Sequence, residues 1–149
     1  MPEIPRLNGV IKALEQGKVA FCGFASPDIE TATALSTSTF DGIAFEMEHA
    51  PMSPPVLRDA LQYMLDRRQL VQGGTLAPKV TPFVRIPPNG NEMNQWIAKQ
   101  VLDIGVYGII WPHVDTVEEA YNAVAAMRYP RVEGRPVRGP FGRRGDGPQ

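Results

Sequence analysis

Apolar residues recur along this chain in two alternating rhythms. Leu7, Val10, Ile11 and Leu14 are spaced three and four apart, as on one face of a helix, and Gly17 can stop that helix. Val19-Ala20-Phe21-Cys22-Gly23 is an unbroken apolar run and predicts a buried strand. Ser26-Pro27 has the form of a helix start, a serine cap followed by proline, and predicts a helix to about Leu35. Gly42-Ile43-Ala44-Phe45 predicts a second strand that turns polar at Glu46. Ser53-Pro54 repeats the helix-start device, and Leu57, Leu61, Met64 and Leu65 give the next helix its apolar stripe.

Residues 69–80, with Gly73-Gly74 and Pro78, predict a loop. Phe83-Val84-Arg85-Ile86 predicts a third strand, closed by Pro87-Pro88. Met93, Trp96, Ile97, Val101 and Ile104 mark a helix with Gly105 as its stop. Gly108-Ile109-Ile110-Trp111 predicts a fourth strand, and Thr116-Val117-Glu118-Glu119 is a capping box opening a helix through Ala120, Val124 and Met127. From Arg128 the rhythm ends, and residues 131–149 form a Gly/Pro/Arg-rich connecting loop or tail, expected to be mobile.

The order is a leading helix and then four strand–helix units. Strands separated by helices of this length imply an α/β fold with a parallel sheet. A doubly wound sheet fits that order too. The glycine-rich dinucleotide fingerprint that would favour it is missing, since Gly23-Phe24-Ala25-Ser26 does not have its form. A closed (β/α)8 barrel takes about 250 residues. The pattern therefore reads as the first four units of such a barrel over residues 1–130. Such a half-barrel leaves its first and last strands unpaired and its inner face open, so oligomerisation or aggregation of the isolated chain is expected.

Composition narrows the function classes. With 149 residues, 43% of them hydrophobic, the chain can bury one core. Fifteen basic residues against sixteen acidic ones give a net charge of −1, without the electrostatic footprint of a nucleic-acid or membrane-surface binder. No apolar run approaches the roughly 20 residues that span a bilayer. Met-Pro-Glu-Ile-Pro-Arg at the start lacks a signal-peptide core, and Cys22 is the single cysteine, so a reducing cytoplasm is the expected compartment. Cys22 reads as a core filler, and Trp96 and Trp111 as core or interface.

The candidate chemistry lies where strands end. Phe45-Glu46-Met47-Glu48-His49-Ala50-Pro51 puts two carboxylates and one of two histidines just past an apolar strand. A histidine titrates near neutral pH and serves as general base or metal ligand. Arg85 interrupts the third strand and needs a carboxylate, an oxyanion or water; an ion pair with Glu46 or Glu48 would satisfy it. His113 and Asp115 follow the fourth strand, His113 reading equally well as a plain loop residue. In a parallel barrel these positions converge on one rim. Asp103, late in its helix among apolar neighbours, reads either as a surface acid or as an inward acid with a cationic partner.

Four motifs in series carry a family resemblance. Glu48-His49-Ala50-Pro51, Phe83-Val84-Arg85-Ile86-Pro87, Val101-Leu102-Asp103-Ile104-Gly105-Val106-Tyr107-Gly108 and Met127-Arg128-Tyr129-Pro130 resemble the HpcH/HpaI aldolase/citrate lyase family, whose best-known branch is the 4-hydroxy-2-oxoheptanedioate aldolases. The resemblance implies a (β/α)8 barrel in a homo-oligomer. It implies cleavage of a 4-hydroxy-2-oxo acid to pyruvate and an aldehyde with a divalent metal, Mg²⁺ or Mn²⁺ or Co²⁺. It assigns acid–base work to His49 with Asp103 as its pair, and the keto and enolate oxygen to Arg85. Glu46 and Glu48 would stand around the substrate, Glu46 replacing the aspartate usual in the best-known branch. The family's metal-ligating acids follow strands five and six, beyond Gln149, so the resemblance assigns no metal ligand here and implies an inactive half. The alternatives are a non-catalytic half-barrel for assembly or binding, and an acyl-CoA lyase of the same superfamily.

Overall fold

The computed structural model describes residues 5–88, 93–130 and 139–145. Four parallel strands form one sheet: β1 (Cys22–Ala25), β2 (Gly42–Glu46), β3 (Thr81–Arg85) and β4 (Gly108–Ile110), side by side in chain order. Among the described residues six helices accompany them: α1 (Gly9–Glu15), α2 (Ile29–Ser36), α3 (Pro54–Tyr63), α4 (Arg67–Gly73), α5 (Gln95–Asp103) and α6 (Val117–Met127). The strand order never reverses, so the crossovers lie on one face of the sheet and leave the other without helices from this source.

The two faces differ accordingly. Ile43, Phe45 and Val84 belong to the covered face and join Ala32, Leu57, Ala60, Met64, Ile97 and Val101 in one buried cluster. The register puts the alternate positions Cys22, Phe24, Gly42, Ala44, Phe83, Gly108 and Ile110 on the opposite face. There, α1 closes the end where the strands begin. Gly9 donates its N–H to Thr81 Oγ1 at 2.8 Å, and Asn8 Nδ2 reaches the Tyr107 carbonyl at 3.3 Å. Further along, this face is open: Phe24 is 59% exposed. β1 and β4 each have one edge without a strand neighbour among the described residues.

Several elements depart from the expected pattern. The first strand lies three residues late, at 22–25 instead of 19–23, and Val19 and Phe21 are 72% and 65% exposed. Its position follows from pairing Cys22 with Gly42, and from Asp41 Oδ2, which accepts the Phe21 N–H at 2.8 Å. α2 is capped by Asp28 rather than Ser26, because Asp28 accepts from both the N–H and the hydroxyl of Thr31. The expected loop at 69–80 contains most of α4, capped by Asp66 and ended by Gly74 at φ +60°. Cys22 and Trp96 are exposed, while Trp111 packs against the core. Of the tail, residues 139–145 are held to α6 by Arg143 N–H donating to the Ala125 carbonyl, at 2.8 Å. The remainder of 131–149 lies outside the described residues.

Phe83 makes the open face specific. Its ring lies over both Gly42 and Gly108, and a methyl group at Gly108 would overlap it. Gly108→Ala is expected to destabilise the chain by about 1–3 kcal/mol through overpacking. Phe83→Leu in the same background should recover part of that loss. Urea midpoints for the three proteins test this, and a Gly108→Ala midpoint equal to wild type would contradict the packing.

Candidate functional site

β2 ends on a turn that the Glu46 side chain builds. Its Oε1 accepts the backbone N–H groups of Glu48 at 2.6 Å and His49 at 3.0 Å. Between them, Met47 is fully buried and its N–H donates to the Arg85 carbonyl at 2.9 Å, which carries the β2–β3 pairing one residue past the strand. Glu46 and Glu48, two apart, therefore turn to the same side. Register sets Arg85 directly opposite Glu46.

Arg85 sits between both carboxylates. Its Nη2 binds Glu46 Oε2, and its Nε lies 3.0 Å from Glu48 Oε2. The Nε contact is an ion pair without hydrogen-bond alignment. The Phe24 ring on β1 covers the guanidinium at 4.6 Å, a cation–π contact. Nη1 has no hydrogen bond to any described residue. The Glu48 side chain is only 4% exposed, and it collects two imidazoles as well. His49 Nε2 is 3.5 Å from its Oε2, and His113 Nε2 is 3.2 Å from its Oε1. Both imidazoles are otherwise largely exposed.

Glu46 ionises more readily than an ordinary glutamate. Burial alone raises its pKa, but the Arg85 hydrogen bond, the two N–H groups and the Arg85 charge outweigh burial and lower it. The cluster thus holds a fixed cation between fixed anions at one sheet end, with imidazoles at the rim. That arrangement suits binding an oxyanion and moving protons beside it.

The structure brings together Glu46, Glu48, His49, Arg85 and the His113 expected beyond the fourth strand, and it adds Phe24. It does not bring Asp103 to them. Asp103 ends α5, which runs back to the opposite end of the sheet, and its carboxylate pairs with Arg144 at 2.9 Å. Arg144 in turn lies over the Tyr129 ring at 4.6 Å. The cationic partner expected for Asp103 is therefore present, whereas no ion pair or hydrogen bond links Asp103 to His49 within this chain. Asp115 serves the α6 cap, its N–H donating to Glu119 Oε2 at 2.8 Å. Phe24 lies just past the strand expected at 19–23 and inside the observed β1, so nothing in the sequence pointed to its place at the site.

No group of three His, Cys, Asp or Glu side chains among the described residues is placed to hold a metal ion. The two carboxylates at the site already face Arg85. These residues by themselves do not fit a divalent-metal centre. No helix among the described residues is long and apolar enough to cross a membrane.

A parallel α/β sheet with an ionic and imidazole cluster beyond its strand ends has the build of a small-molecule enzyme. The family follows from comparison: residues 19–141 match the HpcH/HpaI aldolase/citrate lyase family, and the chain belongs to it. It is 32% identical over 145 residues to a hydroxypyruvate/pyruvate aldolase of Roseobacter denitrificans, covering 95% of this chain and 46% of that protein. It is 35% identical over 126 residues to a 5-keto-4-deoxy-D-glucarate aldolase of Salmonella arizonae, covering 85% of this chain and 43% of that protein. A crystal structure of an HpcH/HpaI aldolase/citrate lyase family protein from Burkholderia cenocepacia superposes with a TM-score of 0.66 at 26% identity, over 90% of this chain and 49% of that one. The relatives are named aldolases, and this chain spans less than half the length of each of these proteins.

The lowered Glu46 pKa has a pH signature. A carboxyl depressed on folding contributes fully above its unfolded pKa, about 4.3, and loses that contribution as pH falls through the folded value. The stability difference between wild type and Glu46→Gln is expected to be constant from pH 7 to about 5 and to shrink below about 4.3. Denaturant unfolding across that range tests it; a difference that grows on acidification would contradict the pairing.

Proposed function

We propose that residues 1–130 are the first half of a (β/α)8 barrel in a carbon–carbon lyase. It cleaves 4-hydroxy-2-oxo acids to pyruvate and an aldehyde. The observation that carries this reading is Arg85: a mostly buried guanidinium at the end of β3, fixed by Glu46, Glu48 and Phe24, with Nη1 unbonded to any described residue. Pyruvate, hydroxypyruvate and a keto-deoxy sugar acid in the relatives' names support the 2-oxo acid class. The aldehyde is left open by these residues.

Arg85 donates to the substrate's keto oxygen. As the C3–C4 bond breaks, negative charge gathers on that oxygen, and a cation already in place stabilises it without reorganisation. His49, turned by Glu48 at its Nε2, takes the proton from the C4 hydroxyl. Asp103 is paired with Arg144 within the chain, so Glu48 is the carboxylate that orients His49 in this reading. The family is in general divalent-metal-dependent, and Mg²⁺, Mn²⁺ or Co²⁺ would be held by acids other than those described here. A homo-oligomer in the cytoplasm is the proposed setting.

The test is pyruvate release from a panel of 4-hydroxy-2-oxo acids by the complete protein, with and without Mn²⁺ or Mg²⁺. His49→Ala is expected to lower turnover by about 10²–10⁴-fold with the fold intact. Arg85→Lys keeps the charge but loses the planar fork, and it should not restore wild-type activity. Wild-type turnover in either variant would remove that residue from the mechanism. No release from any member of the panel by the wild-type protein would favour a half-barrel that serves assembly, a reading to which the exposed Phe24 face gives some support.

A further inference from the structure

Resting on the aldolase reading above, we propose that His113 is a second acid–base residue of this site, sharing the buried Glu48 carboxylate with His49. Three observations converge on it. First, the two imidazoles divide one carboxylate between them: His113 Nε2 stands 3.2 Å from Oε1 and His49 Nε2 3.5 Å from Oε2. Each ring meets Glu48 through Nε2, and neither Nδ1 has a hydrogen bond to a described residue.

Second, the backbone is held in an uncommon state to put His113 there. Its φ is +54°, the left-handed region that is uncommon outside glycine and is reached most readily by Asn, Asp and His. The segment is fixed on both sides. Before it, Trp111 packs against the core and its Nε1 points to Met127 Sδ at 3.4 Å. After it, the N–H groups of Asp115 and Thr116 donate to Glu119 Oε2 at 2.8 and 3.0 Å. An uncommon backbone state kept at a residue that faces a buried carboxylate at a candidate site points to function.

Third, the reaction needs two proton transfers at two atoms. His49 takes the C4 hydroxyl proton; the C3–C4 electron pair passes into the pyruvate enolate, and the C4–O bond becomes the aldehyde carbonyl. His113, as imidazolium, gives its proton to C3 and leaves pyruvate. Glu48 lies between the rings and returns the proton from His49 to His113, so no proton is gained or lost in a cycle. Among the described residues the charged groups at His113 are Glu48, from the segment after β2, and behind it Arg85 of β3.

Exchange of the pyruvate methyl protons with D₂O, followed by proton NMR on the complete metal-loaded protein, reads the C3 step without cleavage. His113→Gly accepts the left-handed φ, so it should fold, and it leaves room for free imidazole. Exchange is expected to fall by about 10²-fold, to recover at least in part with added imidazole, and to do so with pyruvate affinity within about threefold of wild type. His113→Gln, which can still reach Glu48 but carries no titrating proton, should be equally slow. Wild-type exchange in either variant overturns the proposal. Slow exchange in His113→Gly with no imidazole rescue also overturns it, since that is the mark of a positioning role. A wild-type protein that neither exchanges pyruvate protons nor releases pyruvate from 4-hydroxy-2-oxo acids overturns the aldolase reading and this one with it.

Discussion

A guanidinium taken out of water has to be matched by fixed anions, and Arg85 is such a group at the end of the sheet. Its partners Glu46 and Glu48 are delivered by the same strand, two residues apart, with buried Met47 pinning the backbone between them. The pairing fixes more than one side chain. A slip of one residue between β2 and β3 would turn Arg85 toward the helix-covered face and strip both carboxylates of their counter-charge. The register that buries Ile43, Phe45 and Val84 beneath the helices is thus the register that completes the ionic cluster.

The remaining architecture follows from an unequal sheet. One face is sealed by helices and holds the continuous apolar cluster. The other is filled at its starting end by α1 and by Phe83 seated over two glycines, and it opens toward the ionic cluster at its far end. Phe24 marks the change: its ring lies against Arg85 and is still largely exposed. The chain covers under half the length of the curated relatives it matches, and Phe24 on this face is 59% exposed.

Some of this was legible in the residues and some was not, for physical reasons. β2 could be read because a buried parallel strand is apolar throughout and changes character sharply at Glu46. α6 could be read because Thr116 and Glu119 each satisfy a backbone group of the other's end, a purely local device. α4 was hidden: it buries no residue, so it leaves no apolar stripe, and Gly73-Gly74 looked like a loop when Gly74 is its stop. β1 was displaced because the apolar Val19 and Phe21 are exposed, and the strand is set by pairing with β2 rather than by its own composition. At the site, the need of Arg85 for a carboxylate followed from burial of its neighbours. That it takes both glutamates, that Glu48 also holds two histidines, and that Asp103 meets Arg144 across 41 residues are tertiary facts with no local signal.

Arg85, held by Glu46 and Glu48, is the proposed place where a 2-oxo acid binds. The most direct measurement is a crystal structure of the complete protein soaked with pyruvate and, separately, with oxalate as a mimic of its enolate. A ligand oxygen is expected within hydrogen-bond distance of the Arg85 guanidinium, with both glutamate pairs retained. A ligand bound elsewhere while Arg85 stays closed on the two carboxylates would contradict it.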